Sequence, residues 1–502
     1  MSRYGQAVSI TLSILPGLMK YTIAILLILT LIPSAPLHAA VASKPNILFI
    51  YTDDQSYDAL SVVQKEQGEK GRFPWLKTPN LDRLAADGVR FRNAFVTNSL
   101  CSPSRATNLT GLYNHEQGNG IASNFRSFPV NNITHATLMR AAGYTTAYVG
   151  KWHMGNQRER PGFDFHATYI GHGQYADCPY IVDGKDTPTT GWIDDVATDY
   201  AIGFIEKQKT SAKPWSLILG FKSPHQPWKP PARAKDLYAG EVARTVPNVN
   251  TPPVYAGKQN EKSKAGKPVP PTMPTNLDYF RSVAAMDDCV GRLLKSLDES
   301  GFASNTIVIF TSDNGVYLGA HDAGDKRSAY DESLRVPFLV RYPALGDKAR
   351  GRVVDKMVLN LDLAPALLDF AGLTIPAAMQ GRSWRPLLTD DNVAWRESWF
   401  YQYFTEDQKG TNVPDITAVR TADAKLIKYP GHKAWTELFD LTADPYEIRN
   451  LIDDPAAAAL KTRMLAEHDR LSKEVGYRVP PFVSRPPNWG KPGSLAGDHS
   501  EP

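Results

Sequence analysis

The chain contains the continuous apolar run Asn46-Ile47-Leu48-Phe49-Ile50-Tyr51, which has the length of a β-strand and is followed by the acidic pair Asp53-Asp54. A second run of this kind, Thr306-Ile307-Val308-Ile309-Phe310-Thr311, precedes Asp313-Asn314-Gly315. Such runs are typical of parallel strands that are buried on both faces. Polar residues at the carboxyl ends of these strands lie where α/β sheets bind ligands. The two runs therefore predict an α/β fold with a functional site at one edge of its sheet.

Helical segments lie between these two strands. The pattern predicts helices over 81–87, 138–142 and 280–297, and a further short strand over 145–149. Apolar residues recur near the helical period in 280–297, so we expect this helix to pack on the core. The alternation of helices and strands predicts a large mixed, mostly parallel sheet sandwiched by helices.

The character of the sequence changes beyond about residue 381. Short alternating strands are predicted over 399–404 and 416–429, followed by Leu438-Phe439-Asp440-Leu441 and an Ala-rich helix from Pro455. We therefore expect a catalytic α/β domain over 43–381 and a smaller C-terminal α+β domain with a short antiparallel sheet over 382–479. A Pro-rich tail occupies 480–502. The segment 228–274 has no sustained periodicity and is predicted to be a long surface loop beside the site.

The first forty or so residues resemble a secretory signal peptide. Arg3 and Lys20 precede a short apolar run, and small residues follow up to Ala42, after which we expect cleavage, with Ala39 and Ala40 as other candidates. The alternative is an uncleaved anchor, but the apolar run is short of the ~20 residues that a membrane span needs. The sequence thus predicts an exported protein, periplasmic or secreted, without a membrane contact after cleavage.

Charge and cysteine content exclude some other classes of protein. The formal net charge is +4 over 502 residues, and no basic run indicates a nucleic-acid partner. The three cysteines, Cys101, Cys178 and Cys289, are too few for a disulfide framework. A bridge between Cys178 and Cys289 and a pair of buried free thiols are both compatible with the sequence.

Oxygen ligands at the two strand ends predict a metal site. Asp53 and Asp54 are adjacent carboxylates, and Asp313 and Asn314 supply two more donors at the equivalent position. Each pair alone is typical of a helix cap or a solvated turn. Together they favour a hard cation, Ca²⁺ or Mg²⁺, over Zn²⁺.

Four short motifs add nucleophilic, basic and cationic groups. Cys101-Ser102-Pro103-Ser104-Arg105 combines a thiol, a rigid turn and a guanidinium, although a lone cysteine is often a small buried apolar residue. Gly150-Lys151-Trp152-His153 follows the predicted strand 145–149, and Ser223-Pro224-His225-Gln226-Pro227-Trp228 follows an apolar run. Gly324-Asp325-Lys326 adds a second lysine shortly after Asn314.

In these motifs the sequence resembles the type I sulfatases, and the resemblance covers nearly the whole chain after the signal peptide. The similarity to the first family motif runs over 99–111, and the second motif matches over 143–153. The resemblance implies that Cys101 is oxidised to formylglycine (3-oxoalanine) by a maturation enzyme. Its hydrate gives an oxygen nucleophile and a second hydroxyl whose deprotonation expels sulfate. Asn108 departs from the family pattern, in which an apolar residue is usual.

The resemblance also implies roles for individual residues. One Ca²⁺, with Mg²⁺ less expected, would be bound by Asp53, Asp54, Asp313, Asn314 and the formylglycine. Arg105 and Lys151 would orient the hydrated aldehyde, and His153 would act as the base. His225 and Lys326 would grip the sulfate, with His225 as the acid for the leaving alcohol. His321 is a lesser candidate for a substrate contact. His115 and His172 could also contact substrate, but a structural role is favoured for both.

Within the family, segments such as Gly171-His172-Gly173-Gln174-Tyr175 are most similar to carbohydrate sulfatases, including the N-acetylglucosamine-6-sulfatase type. The implied substrate is a sulfated polysaccharide or oligosaccharide, while the sugar, the sulfate position and exo or endo action stay open. Two alternatives stay open as well. One is a phosphodiester or phosphonate hydrolase of the same superfamily, and the other is a non-catalytic protein that binds sulfated glycans.

Overall fold

The computed structural model describes residues 44–116, 119–124, 126–256, 271–273, 275–323, 325–406 and 413–480. The predicted signal peptide, Gly324 and nearly all of the predicted tail lie outside these ranges. The described residues from Lys44 onward belong to one compact unit. Among the described residues, no helix has the length and apolar character needed to cross a membrane.

The strands of the described residues are, in chain order, β1 (Asn46–Thr52), β2 (Val89–Phe91), β3 (Ala94–Phe95), β4 (Thr145–Lys151), β5 (Phe165–Tyr169), β6 (Tyr180–Val182), β7 (Lys185–Thr187), β8 (Trp215–Gly220), β9 (Ala243–Arg244), β10 (Thr272–Met273), β11 (Thr306–Ser312), β12 (Phe338–Arg341), β13 (Arg352–Val354), β14 (Val358–Leu359), β15 (Ser398–Tyr403), β16 (Ile416–Thr421), β17 (Ala424–Lys428) and β18 (Glu437–Asp440). The helices are α1 (Ser61–Gln67), α2 (Pro79–Ala86), α3 (Cys101–Thr110), α4 (His135–Ala141), α5 (Ile193–Gln208), α6 (Leu277–Glu299), α7 (Asp331–Leu334), α8 (Leu363–Phe370) and α9 (Ala458–Glu474).

A ten-stranded sheet forms the centre of the fold, in the order β13-β2-β12-β11-β1-β8-β4-β5-β6-β7. The five central strands from β11 to β5 are all parallel, whereas β12, β6 and β7 run antiparallel to their neighbours. The prediction of a large mixed, mostly parallel sheet is confirmed. The parallel strands direct their carboxyl ends to a single edge of the sheet.

Helices cover both faces of this sheet, as the apolar runs require. Along β1, Leu48 and Ile50 face one core cluster and Ile47 and Phe49 face another. The first cluster includes buried residues of α5 and α6, and the second includes residues of α3, α4 and α8. Both faces of the strand are therefore excluded from water, which explains why its sequence does not alternate.

The C-terminal strands form a separate antiparallel sheet in the order β15-β16-β17-β18, and α9 contacts it. This confirms the short antiparallel sheet expected from the alternating pattern. The sheet has a core of its own, which also includes Tyr317 and Tyr330 from the segment after β11.

The predicted long loop 228–274 contains more structure than its composition indicates. β9 and β10 lie within this segment and pair antiparallel with each other, and Ala243, Val246 and Met273 are buried. The expectation of an irregular surface loop is corrected for these residues, because two-residue strands give no periodic signal. Residues 257–270 lie outside the described ranges.

Candidate active site

The five central parallel strands each lead into a segment that carries a polar residue of one site. The in-phase pairing of β1 with β11, in which Thr52 is opposite Ser312, brings the acidic residues after both strands together. The segments after β8, β4 and β5 lie at the same edge. The residues that follow each strand end are Asp53 and Asp54 after β1, Asp313 and Asn314 after β11, His225 after β8, Lys151 and His153 at the end of β4, and His172 after β5.

Helix α3 supplies the thiol and the guanidinium from the opposite side. Cys101 is its first residue, and all ten residues of the helix are buried. Cys101 and Arg105 are four positions apart, so both side chains face the same direction. Asn108, which departs from the family pattern, is buried, and its Nδ2 has no hydrogen-bond partner among the described residues.

Cys101 lies at the centre of the charged side chains. Its Sγ is 3.3 Å from Oδ1 of Asp53 and 3.1 Å from Nζ of Lys326. Burial raises the pKa of this thiol far above its ordinary range, and the neighbouring Asp53 adds to the effect. An unmodified Cys101 would therefore be a neutral thiol and a poor nucleophile.

Three carboxylates around Cys101 are each paired with a cationic side chain. Arg105 Nε donates a hydrogen bond to Oδ2 of Asp313 at 2.8 Å, and Arg105 Nη2 forms an ion pair with the same oxygen at 2.7 Å. Lys151 donates a hydrogen bond to Asp53. Lys326 donates a hydrogen bond to Asp54. All of these groups are buried, so each pair lies in a region of low dielectric.

The same carboxylates are crowded against one another. Oδ1 of Asp313 accepts from the backbone N–H of Asp54 at 3.3 Å, and Nδ2 of Asn314 donates to Asp54 Oδ1 at 2.6 Å. Burial and the adjacent Asp53 raise the pKa of Asp313 to about 7. Burial also opposes ionisation of Asp53, but Lys151, His225 and Arg105 hold its pKa well below the ordinary range.

These residues fit a metal ion. Ligand atoms of Asp53, Asp54, Cys101 and His225 lie within 4.8 Å of one another. Asn314 Oδ1 is buried and has no hydrogen-bond partner among the described residues, so an oxygen donor is available beside the carboxylates. Two carboxylates, a thiol and an imidazole, with the Asn314 oxygen beside them, fit a divalent cation.

Three imidazoles line the other side of the site. The ring centroids of His153 and His172 are 4.0 Å apart, and those of His172 and His225 are 4.6 Å apart. Burial, followed by Lys151 and His172, lowers the pKa of His153 well below the ordinary value. Burial lowers the pKa of His225 to about 4, although Asp53 and Asp54 oppose the shift. His225 Nε2 is 3.6 Å from Asp54 Oδ2.

Two buried tyrosines form hydrogen bonds that hold Arg105 and Lys151 in position. Tyr148 donates to the carbonyl oxygen of Lys151 at 2.7 Å, and its hydroxyl is hydrogen-bonded to that of Tyr51. Arg105 Nη1 donates to Tyr51 Oη at 3.2 Å and to the Lys151 carbonyl at 2.6 Å. Through these bonds the end of β4 and the middle of α3 are held together.

A buried lysine joins the segments that carry His172 and His225. Lys222 Nζ donates to the carbonyl of His172 at 2.9 Å and lies 4.8 Å from the ring centroid of Tyr175. Tyr175 donates to the carbonyl of His225 at 2.5 Å. Burial, followed by Lys151, lowers the pKa of Lys222 to about 8. The composition of the sequence gave no reason to select Lys222, because lysines are usually exposed.

The histidines outside the main motifs require two corrections. His172, which we expected to be structural, lies in the site with Nδ1 3.1 Å from Lys151 Nζ. Its position after a central parallel strand was the signal that could have revealed it. His321, expected as a lesser substrate contact, instead has a fully buried side chain that bonds the carbonyl of Thr251 and stacks on Tyr330. Both ring nitrogens of His115 bond protein groups, in line with a structural role.

The other two cysteines do not form a disulfide with each other. Cys178 and Cys289 are both free and buried, so the bridge between them does not form in this structure.

A buried cysteine surrounded by carboxylates, lysines and imidazoles lies at the carboxyl edge of a sheet that has the sulfatase/alkaline-phosphatase-like fold. A sequence model described as sulfatase matches residues 45–373. A second, described as N-sulphoglucosamine sulphohydrolase, C-terminal, matches residues 319–474. The chain therefore belongs to the sulfatase family and is a sulfuric ester hydrolase, which confirms the resemblance drawn from its motifs.

Characterised relatives and a solved structure agree with this assignment. The chain is 32% identical over 476 residues to N-acetylglucosamine-6-O-sulfatase of Bacteroides thetaiotaomicron, covering 81% of this chain and 82% of the relative. It is 31% identical to an ulvan-active sulfatase of Formosa agariphila, with 86% and 82% covered. A structure described as in complex with its substrate D-glucosamine-2-N,6-O-disulfate has a TM-score of 0.76 and 28% identity, covering 86% of this chain and 98% of that chain.

Proposed function

We propose that this protein is an exported enzyme that hydrolyses sulfate monoesters of a sulfated polysaccharide or oligosaccharide, using a formylglycine made from Cys101 and one Ca²⁺ ion. The observation that carries the proposal is the position of Cys101 Sγ, 3.3 Å from Asp53 and 3.1 Å from Lys326 at the first residue of α3. Asp53 and Lys326 contact this one atom, and ligand atoms of Asp54 and His225 lie within 4.8 Å of it.

The environment of Cys101 favours a modified residue over a thiol nucleophile. Burial and the neighbouring Asp53 raise the pKa of the Cys101 thiol, and Lys326 does not offset this shift. The thiol therefore stays protonated and is a weak nucleophile. Conversion to formylglycine by a maturation enzyme would supply a hydrated aldehyde, with one hydroxyl for attack on sulfur and a second for release of sulfate. Arg105 and Lys151, fixed through the Tyr51 and Tyr148 hydroxyls, would orient that group.

Asp53, Asp54, Asp313, Asn314 and the modified Cys101 would hold the metal ion. The unpartnered Oδ1 of Asn314 and the mutual crowding of the carboxylates support this ligand set. When bound, a divalent cation supplies Lewis-acid stabilisation of charge on the sulfate oxygens. The predominance of oxygen donors favours Ca²⁺, with Mg²⁺ as the lesser candidate.

The charge of the site suits an anionic ester. Three carboxylates and the cations Arg105, Lys151 and Lys326 balance one another. A metal ion would make the centre net positive, and Lys151 and Lys326 would be available to bind a sulfate group. His153, held neutral by its surroundings, would accept a proton. His225 donates from Nδ1 to the carbonyl of Gln226, so it would donate to the leaving alcohol through Nε2 in its protonated form.

A sulfated carbohydrate is the substrate class that the relatives support. Two of them are named as sulfatases acting on N-acetylglucosamine 6-O-sulfate and on ulvan, and the similar solved structure is described as a complex with a disulfated glucosamine. The predicted signal peptide over 1–42 supports export to the periplasm or the medium, outside the cytoplasm.

Sulfate release tests this proposal. The protein, produced together with a formylglycine-generating enzyme, would be incubated with N-acetylglucosamine 6-sulfate, glucosamine N,6-disulfate, ulvan oligosaccharides, 4-nitrophenyl sulfate and bis(4-nitrophenyl) phosphate. We expect release of sulfate from at least one sulfated sugar and slower turnover of the phosphodiester. Turnover of the phosphodiester alone would favour the alternative of a phosphoester hydrolase. Binding of the sugars without release of sulfate or phosphate would favour the glycan-binding alternative.

Removal of metal tests the ligand set separately. A chelator should abolish sulfate release and lower the Tm, and added Ca²⁺ should restore both, because an ion bound only by the folded state stabilises it. The double variant Asp53→Asn, Asp313→Asn should show no Ca²⁺-dependent shift in Tm. A shift of unchanged size in this variant would show that the ion binds elsewhere.

A further inference from the structure

His172 lies in a turn whose backbone is fixed by close packing. Gly171 and Gly173 on either side adopt φ values of 61° and 63°, in the left-handed region that favours glycine. A Cβ at Gly173 would lie 2.6 Å from the ring of Tyr169 and 2.9 Å from the side chain of Ile193. The position of His172 is therefore set by the turn, and the carbonyl bond from Lys222 fixes it further.

The contact with Lys151 defines which ring nitrogen of His172 carries hydrogen. An ammonium group can only donate, so Nδ1 accepts from Lys151 Nζ at 3.1 Å. In the neutral ring the proton is then on Nε2. No hydrogen bond joins Nε2 to any residue in the described part of the chain, and the residue is exposed while His153 and His225 beside it are largely buried.

This arrangement gives an oriented donor at the open side of the site. Lys151, Lys326 and the metal ligands surround Cys101, where the scissile sulfate would bind. His172 lies on the outer side of Lys151 and between the rings of His153 and His225. A group that contacts Nε2 is therefore next to the sulfate group but outside its cluster of cations.

We propose that His172 is a substrate-contacting residue whose Nε2–H donates a hydrogen bond to an oxygen of the sugar beside the scissile sulfate. The inference rests on the proposed sulfatase function and adds a residue that distinguishes a sulfated sugar from a small sulfate ester. The acceptor would be a hydroxyl, ring or glycosidic oxygen, all of which an aryl sulfate lacks. Both substrates would share the interactions of the sulfate group itself.

A comparison of two substrates tests this contact. The variants His172→Ala and His172→Gln would be assayed on the sulfated sugar that the wild type cleaves fastest in the panel above, and on 4-nitrophenyl sulfate. For His172→Ala we expect kcat/KM to fall about 10-fold on the sugar, the effect of one lost hydrogen bond in the transition state. On the aryl sulfate we expect a change below about 3-fold. His172→Gln keeps an N–H donor and should recover part of the loss.

The control is Gln174→Ala, an exposed position in the same turn, which should leave both substrates unaffected. Measurement of Tm for each variant separates a loss of contact from a loss of fold. The inference is overturned if His172→Ala has the same kcat/KM on the sugar as Gln174→Ala. It is also overturned if His172→Ala lowers kcat/KM equally for the sugar and for the aryl sulfate. A wild type that cleaves 4-nitrophenyl sulfate but no sugar also overturns it. Failure of the proposed function is different: a wild type with modified Cys101 would then release sulfate from no ester at all.

Discussion

Buried ionic groups at the carboxyl edge of the large sheet and those beside the C-terminal sheet are built in different ways. In the second cluster, Asp331 at the start of α7 accepts from Arg420 of β16 at 2.8 Å and from Lys425 of β17 at 2.6 Å. Lys425 is also 2.6 Å from Glu447. Each ion there joins one element of structure to another. At the active site, by contrast, the ions surround one side chain, Cys101.

The difference shows what each cluster does for the protein. Charges that connect α7 to β16 and β17 stabilise the fold only while every partner is present, since a buried charge without its partner is costly. At the active site the carboxylates are paired with cations, yet Asp53 and Asp54 still oppose the ionisation of Asp313, and Asn314 Oδ1 has no hydrogen-bond partner among the described residues. We therefore expect changes around Cys101 to alter activity and changes in the cluster of Asp331, Arg420 and Lys425 to alter stability.

The substitution Cys101→Ala should produce the largest effect. If Cys101 supplies the nucleophile as proposed, sulfate release should fall at least about a thousandfold in this variant, while the free energy of unfolding changes by about 1 kcal/mol or less. The measurements are sulfate release and denaturant unfolding. Cys289→Ala is the matched control, because it removes another buried thiol and should retain activity. Substantial activity in Cys101→Ala would contradict the distinction between the two regions.

Lys425→Met should produce the opposite pattern. The lysine side chain is fully buried, and its loss leaves Asp331 and Glu447 without their shared cation. We expect a loss of about 3–5 kcal/mol in the free energy of unfolding, with kcat/KM of the folded protein within about 3-fold of the wild type. Lys428→Met, on the same strand but with a side chain 37% exposed, should cost about 0.5 kcal/mol or less. Equal costs for the two variants would remove the structural role of the cluster.

Much of the fold could be predicted from the sequence because its strongest signals are physical requirements of a buried sheet. β1 and β11 are continuous apolar runs since both faces are covered, and the structure pairs them in phase. The short strands β9 and β10 could not be predicted, because two residues carry no periodicity. The partnership of β2 with β12 and β13 depends on tertiary packing and has no local signal either.

The site divides in the same way. Asp53, Asp54, Asp313 and Asn314 could be selected because they follow recognisable strands, and Cys101 because its motif is unusual. His172 was not selected because the strand that precedes it, β5, was not predicted from the sequence. Lys222 could not be selected, since its role depends on one contact between two loops. His321 was misplaced because closeness in sequence to Lys326 does not imply closeness in space: the turn between them points His321 toward Thr251 and Tyr330.

Glu437 should make stability in the C-terminal region depend on pH. Burial raises its pKa to about 7 from 4.5, although hydrogen bonds from Tyr429 and Tyr330 oppose the shift. Between these two values the folded state binds more protons than the unfolded state, so stability falls as pH rises from about 4.5 to about 7, by about 3 kcal/mol or less. Unfolding of wild type and Glu437→Gln across this range measures the effect. The variant should lose this part of the slope, and identical slopes would contradict the assignment.

Tyr148→Phe should have the smallest effect, and it acts in the active-site region. The hydroxyl holds the Lys151 carbonyl and bonds Tyr51, so its loss should loosen the position of Lys151 and Arg105. We expect kcat to fall about 3- to 10-fold with little change in KM, the size of one hydrogen bond. Tyr144→Phe is the control, because its buried hydroxyl bonds Pro45 instead. A similar loss of kcat in both variants would mean that Tyr148 acts only through stability.

The mass of the peptide that contains Cys101, taken from the same preparation used for sulfate release, tests directly whether this residue is converted to formylglycine. We expect that the CH₂SH side chain is replaced by an aldehyde, CHO, and that the rate of sulfate release rises in proportion to the converted fraction. An unmodified thiol in a preparation that releases sulfate at its full rate would contradict it.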